Sequence, residues 1–215
     1  MKIKGAIFNM DGVLFDTEKI FQKIWHEIAA EYGVVLSEGF ARDITGSSGP
    51  YMCRIIERYY GVPDGNVIIE ECRKRIRQSL KKEVPKKPGV EEILEYFRSE
   101  GVKIAVASSS TKEQIESNLK IAGIRRYFDA ITSGKEVVYG KPAPDIFLLA
   151  AKRIDCAPKD CYVFEDSENG IRAGVAAGCR TIMVPDLIEP TEEIRKICYG
   201  VYENLGIIAK ERKIR

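Results

Sequence analysis

The stretch Val84-Pro-Lys-Lys-Pro-Gly-Val90-Glu-Glu-Ile-Leu-Glu-Tyr-Phe-Arg-Ser-Glu-Gly-Val102-Lys-Ile-Ala-Val-Ala-Ser108-Ser-Ser110 decides the fold. Its two prolines and glycine mark a linker. Val90, Ile93, Leu94 and Phe97 then recur at helical spacing, and Val102–Ala107 is an apolar run of strand length that ends in three serines. Downstream the alternation continues. Helical patterns at 115–119, 146–154 and 170–177 separate strand-like runs at 130–132, 161–164 and 181–184. Strands alternating with helices predict a parallel sheet covered on both faces. Upstream, Ile3–Phe8 reads as one more buried strand, ending in Asn9-Met-Asp-Gly12.

Between that first strand and the linker the period is helical only. Phe21, Ile24, Ile28 and Tyr32, with Trp25 beside them, form one stripe, and Ile55, Ile56 and Tyr59 another. His26 lies off the first stripe and reads as a solvated helix residue. The stretch 70–83 carries Arg73, Lys74, Arg75, Arg77, Lys81 and Lys82 among glutamates, without aromatics, and reads as a solvated face rather than a nucleic-acid surface. The expected organisation is an α/β Rossmann-like core from residues 1–15 and 86–215, with a helical cap inserted at 16–85.

Composition narrows the chemistry. Across 215 residues, 34 Lys+Arg against 32 Asp+Glu leave a net charge of +2, so no overall field favours nucleic acid or membrane. The single histidine excludes a histidine-rich zinc site. Six cysteines without a Cys-x-x-Cys pair fit a reduced compartment. No apolar run approaches the roughly 20 residues of a membrane helix, and Met1–Phe8 is too short for a signal peptide. A cytoplasmic protein is expected, monomeric, with no nucleic-acid or membrane partner.

In a parallel α/β sheet, ligands bind beyond the carboxyl ends of the strands. The residues there are Asn9, Asp11 and Gly12; Ser108, Ser109 and Ser110; Lys141, in Gly-Lys-Pro-Ala-Pro-Asp; and Glu165 and Asp166. Acids gathered without histidine suit a hard cation such as Mg2+. A lysine and hydroxyls facing it suit phosphate, and the combination points to phosphoryl transfer. Nucleotide motifs fail. No Gly-x-Gly-x-x-Gly occurs, and Gly134 with Gly140-Lys141 misses Walker spacing by one residue and is followed by Pro142.

Four segments, Ile7–Glu18 (IFNMDGVLFDTE), Val106–Ser110 (VASSS), Gly140–Asp145 (GKPAPD) and Phe164–Ile171 (FEDSENGI), together resemble the four motifs of the haloacid dehalogenase superfamily. The subgroup resembled is that of β-phosphoglucomutase and sugar-phosphate phosphatases. The resemblance runs in order over nearly the whole chain and implies the roles. The nucleophile and a Mg2+ ligand stand at position 9. Asp11 is the general acid/base, and its carbonyl also binds Mg2+. Ser108, with Ser109 beside it, meets the phosphoryl group, and Lys141 neutralises charge. Asp166 ligates Mg2+, with Glu165 in support directly or through water. Thr17, Glu18, Phe21 and Trp25 open the cap and are expected to read the leaving group of a small phosphorylated substrate.

One position departs. The nucleophile is Asn9, whose carboxamide keeps the shape of aspartate without its charge or nucleophilicity. Two readings stand: an Asp-to-Asn change that traps substrate in an otherwise competent enzyme, or a non-catalytic relative that binds a phosphorylated ligand. The first is preferred because every other motif residue is intact. A phosphatase is preferred to a β-phosphoglucomutase-type enzyme. The cap loop Ile44–Pro50 holds no Lys or Arg for a second phosphate, and Phe21 replaces the histidine of the family's mutases; Arg42 and Arg54 flank the loop.

Overall fold

The computed structural model describes residues 3–81 and 83–211, with Glu18 lacking a described side chain. Lys82, part of the basic run, lies outside the described residues. Six parallel strands, β1 (Gly5–Phe8), β2 (Lys103–Ser108), β3 (Ala130–Ser133), β4 (Cys161–Glu165), β5 (Arg180–Met183) and β6 (Gly200–Val201), form one sheet in the order β3-β2-β1-β4-β5-β6. β1 is central. Phe8 pairs with Val106 on one side and Phe164 on the other, which sets Asn9 between the ends of β2 and β4.

Strict alternation on buried strands produces two cores. Ala6, Phe8, Ile104, Val106, Tyr162 and Phe164 face one layer, where Phe8 stacks on Phe164 with ring centroids 4.5 Å apart. Helices α5 (Val90–Ser99), α6 (Lys112–Ile121) and α10 (Leu205–Glu211) cover that side. Ile7, Ala105, Ala107 and Val163 face the other, under α7 (Asp145–Arg153) and α8 (Glu168–Ala176). The α/β class read from the alternation is the architecture found. β6, α9 (Glu192–Ile197) and α10 were not legible, since two residues of strand and six- and seven-residue helices are too short for a period.

Residues between β1 and α5 form α1 (Glu18–Glu31), α2 (Gly39–Ile44), α3 (Gly49–Tyr60) and α4 (Asn66–Ser79). These helices enclose a core of their own, with Trp25, Ile28, Phe40, Ile56 and Ile68 at its centre. Two details of the pattern differ. Tyr32 ends α1 exposed, and Tyr60 rather than Tyr59 is the buried ring of α3. The two chain crossings between the helical segment and the sheet run side by side. Asp16 N–H donates to the Pro85 carbonyl and Lys87 N–H to the Leu14 carbonyl, both at 2.9 Å.

Candidate active site

The loop after β1 is held from below. Met10, Val13, Leu14 and Phe15 are fully buried, and the Leu14 and Phe15 amides both return to the Met10 carbonyl. That tight turn aims Asn9 and Asp11 at the sheet's carboxyl edge. Gly12, at φ +80°, is required twice. L-residues avoid that conformation, and an added Cβ would sit 2.2 Å from Asp166 Oδ2. Glycine therefore lets the acid of the fourth motif close on the first.

Asn9 is the centre of the network. Its amide nitrogen donates to the Asp11 carbonyl at 2.8 Å and to Asp166 Oδ1 at 3.0 Å, while its oxygen accepts from Lys141 Nζ at 3.0 Å. This orientation is the one that satisfies every partner, because lysine only donates and the other two oxygens only accept. Lys141 is 1% exposed and also pairs with the fully buried Glu165 carboxylate, and its ammonium lies 5.1 Å from the centre of the Phe147 ring. Removing either member of such a pair would strand a buried charge.

Glu165 departs from the expected metal-ligand set. One oxygen is held by Lys141. The other accepts from the Asp166 and Ser167 amides at 3.1 and 3.4 Å and from the Ser167 hydroxyl at 3.1 Å. Gly170 makes room for this carboxylate, since a Cβ there would lie 1.9 Å from its carbon. Asp166 is turned toward Asn9 and Gly12.

Asp11 carries a perturbed acid. Burial pushes its carboxyl up to about 6, against the opposing pull of the Thr17 hydroxyl, Lys141 and a backbone hydrogen bond. Thr17 is itself fully buried and donates to Asp11 Oδ1 at 2.6 Å. Thr17 was expected against the leaving group; instead it serves Asp11 from beneath and does not line the cavity. The Glu18 side chain lies outside the described residues.

Above this network is a cavity of about 110 Å³, walled by the sheet edge and the inserted helices. Asn9, Asp11, Ser108 and Ser109 line its floor, and Phe21 and Trp25 its roof. A water needs roughly 10–15 Å³ by this kind of measure, so several waters or a small ester fit. Ser108, buried, accepts from the Ser110 amide at 3.2 Å. The cap loop is tied down from the sheet side, where Asn169 Nδ2, at the start of α8, donates to the Asp43 and Thr45 carbonyls at 3.2 and 3.3 Å.

Two residues of the basic stretch, which is largely exposed as expected, also line the cavity. Arg73 and Arg77 face the cavity, on one stripe of α4 with Ile69, Cys72 and Ile76. That i, i+3, i+4, i+7, i+8 spacing was present in the sequence and identifies their face. Arg75 takes the opposite role, binding Glu31 of α1 at 2.7 and 2.8 Å. Arg42 and Arg54, which flank the cap loop, do not line the cavity; Arg54 lies over the Tyr51 ring.

An acid raised toward neutrality, a buried lysine and two oxygens converge on one polar point at the edge of a parallel sheet. The chain belongs to the haloacid dehalogenase-like hydrolase family, whose profile matches residues 6–184. It is 33% identical over 184 residues to a phosphorylated carbohydrates phosphatase of Thermotoga maritima, covering 84% of either chain. It is 34% identical over 181 residues to fructose-1-phosphate phosphatase YqaB of Escherichia coli, covering 84% of this chain and 95% of that one. Among solved structures, CbbY from Rhodobacter sphaeroides in complex with phosphate superposes with a TM-score of 0.79 at 25% identity over 96% of both chains. A hydrolase from Pseudomonas syringae shares the fold with a TM-score of 0.84 at 24% identity, over 97% of both chains. Among the described residues, no helix is long and apolar enough to cross a membrane.

Proposed function

We propose that this chain is built as a cytoplasmic Mg2+-dependent phosphatase of small phosphorylated metabolites, sugar phosphates foremost, and that Asn9 holds it in a substrate-binding, non-hydrolysing state. One observation carries the reading. Asn9, Asp11, Asp166 and Lys141, from distant parts of the sequence, meet through hydrogen bonds of 2.8–3.0 Å at the cavity floor. The sugar-phosphate relatives support the substrate class.

The donor set fits a hard cation. The Asp11 carbonyl and Asp166 carboxylate oxygens both lie within 3.0 Å of one atom, the Asn9 amide nitrogen, so two oxygen ligands already converge on one point. The Asp11 carbonyl and Asp166 would hold the ion with an oxygen from position 9, which an aspartate supplies while keeping its other oxygen on Lys141 and which Asn9 supplies only by turning its amide away from Lys141; Glu165 stands one step back through Lys141. Bound Mg2+ supplies charge stabilisation to the phosphoryl oxygens.

The chain's own residues do the rest. Lys141 and the Ser108 hydroxyl bind the phosphate. Because the Thr17 hydroxyl occupies Asp11 Oδ1, the proton of Asp11 belongs on Oδ2, where it is available to a leaving oxygen near neutral pH. An aspartate at position 9 would attack phosphorus and form an aspartyl-phosphate, which water then cleaves with Asp11 as base. The carboxamide cannot attack, but it repels a phosphate dianion less than a carboxylate does, so binding outlasts turnover. Residues 16–85 act as a cap that shuts water out, hinged where the two crossings pair at Asp16 and Lys87.

Phosphate release from a sugar-phosphate panel by Asn9 and Asn9→Asp proteins tests this. Hydrolysis by Asn9→Asp alone, dependent on Mg2+, is expected, and an Asn9→Asp protein inactive on every ester overturns it. Arg73 and Arg77 on the cavity wall favour a second reading, a mutase that holds a second phosphate in the cap. Interconversion of β-glucose 1-phosphate and glucose 6-phosphate without phosphate release would select it.

A further inference from the structure

The cap loop that walls the cavity has no helix or strand of its own. It runs from the end of α2 at Ile44 to the start of α3 at Gly49, and Ile44, Thr45, Gly46 and Ser47 line the cavity. The last carbonyls of a helix lack intrahelical partners and must be met from elsewhere. The Ile44 carbonyl is met within the loop, by the Ser47 amide at 3.0 Å and the Ser47 hydroxyl at 2.7 Å. The carbonyls on either side of it are met from the core. One side-chain nitrogen, Asn169 Nδ2, donates to both Asp43 and Thr45, at 3.2 and 3.3 Å. These bonds cross from core to cap independently of the hinge crossings at Asp16 and Lys87.

The core side of this contact is the first turn of α8, which also serves the site. Asn169 stands two residues after Ser167, which caps α8, and is 9% exposed. The Ser167 hydroxyl accepts from the Gly170 amide at 3.1 Å and donates to Glu165 at 3.1 Å. Gly46 of the cap loop lies directly on that hydroxyl, where a Cβ would come within 2.0 Å of the oxygen. Two residues on, Ser48 packs against Gly140, the neighbour of Lys141. The loop therefore rests on both segments that supply the buried Lys141–Glu165 pair. Each bond from Asn169 is exchanged for one to water when the cap lifts, so its net worth is modest and the contact is reversible.

We propose that Asn169 is a positioning residue that latches the cap: its paired bonds seat loop 43–50 on the α8 turn, hold the cavity wall over Asn9 and Asp11, and bias the cap toward the closed state before substrate arrives. The proposal rests on reading residues 16–85 as a cap that closes over the site, and adds the residue that holds it. An Asn169→Ala chain loses both donors. Asn169→Asp keeps the shape, turns acceptor atoms toward two carbonyls, and suits a helix N-terminus, so it removes the latch without removing the fold.

The single tryptophan, Trp25, reads cap position without any ligand, because it lines the cavity roof and is 6% exposed. Acrylamide quenching of its fluorescence in the ligand-free chain is expected to rise by about twofold or more in both variants, as the open state gains population. Loss of the two hydrogen bonds is expected to weaken binding of hexose monophosphates, titrated calorimetrically with Mg2+, by about 5–30-fold. Inorganic phosphate reaches only the cavity floor and makes no contact that favours the closed cap, so its affinity should change by less than about threefold. At saturating ester, quenching should return to the parent's level, which a cap that had merely unfolded would not do. Quenching unchanged in either variant overturns the proposal, as does equal weakening of ester and phosphate, or quenching that stays high at saturating ester. A parent that binds neither ester nor phosphate sinks the phosphatase reading, and the ligand-free quenching then decides by itself whether Asn169 holds the cap shut.

Discussion

Replacing Asn9 by aspartate should make the fold depend on a divalent cation, and the size of that dependence follows from the network. The substitution removes two donated hydrogen bonds, one to the Asp11 carbonyl and one to the Asp166 carboxylate. A neutral bond contributes about 1 kcal/mol and one to a charged group about 1.5–3 kcal/mol. The new carboxylate also stands near Asp166, where repulsion at 3 Å is on the order of 5 kcal/mol at an effective dielectric of 20. Lys141 lies at the same 3.0 Å and opposes it by a similar amount, so the two charge terms largely cancel. The net cost in chelator is about 3 kcal/mol. For a chain of this size that lowers the melting temperature by roughly 6–12 °C. Excess Mg2+ at about 100 times its dissociation constant restores about 2.7 kcal/mol. Thermal melts of both proteins in EDTA and in Mg2+ read this directly. The Asn9 protein should respond weakly to Mg2+, and Asn9→Asp should lose stability in EDTA and regain it with the ion. If Asn9→Asp melts in EDTA where its parent does and ignores Mg2+, these oxygens do not form a cation site.

Two further outcomes follow from the same geometry. Asp11 titrates at about 6 in the folded chain against 3.8 for a free carboxyl, so the unfolded chain ionises first and the folded one pays when the group becomes charged. Its contribution is greatest below pH about 4, declines between about 4 and 6, and is flat above; the fall is about 3 kcal/mol. Urea midpoints across that range in EDTA should show it, and Asp11→Asn should flatten it; a parent flat over the same range would contradict the assigned burial. Asn169→Ala removes both side-chain bonds to the Asp43 and Thr45 carbonyls, at a cost of about 1–3 kcal/mol. Hydrogen exchange should quicken over 43–50 before it changes in the sheet, and unchanged exchange there would mean the loop is held by other contacts.

The legible part of this protein lay where one residue type repeats at a fixed period. Ala6, Phe8, Val106 and Phe164 sit on fully buried strands, so apolar runs of strand length between helical stripes were enough to give a parallel sheet and to point at its carboxyl edge. Asn9, Asp11, Ser108, Lys141 and Asp166 were named from their positions after strands, and all of them meet or line the cavity. Arg77 is exposed, as the charge pattern implies, and that it and Arg73 also line the cavity follows from the stripe around α4, which charge counted along the chain does not reveal.

What a side chain touches was decided by tertiary structure alone. Thr17 could be placed beside the site from sequence, but its service to Asp11 instead of to a ligand depends on a 2.6 Å bond across a turn. Glu165 and Asp166 are adjacent and chemically alike. One is turned to Lys141 and three N–H or O–H donors, the other to Asn9, because successive residues leaving a strand point to opposite sides. The linker and alternation that began at Val84 determined the sheet, its edge and the inventory of groups there. Their pairing, their burial and the raised acidity range of Asp11 came only with packing, since distances of 3 Å between residues more than a hundred positions apart are not a property of any local stretch.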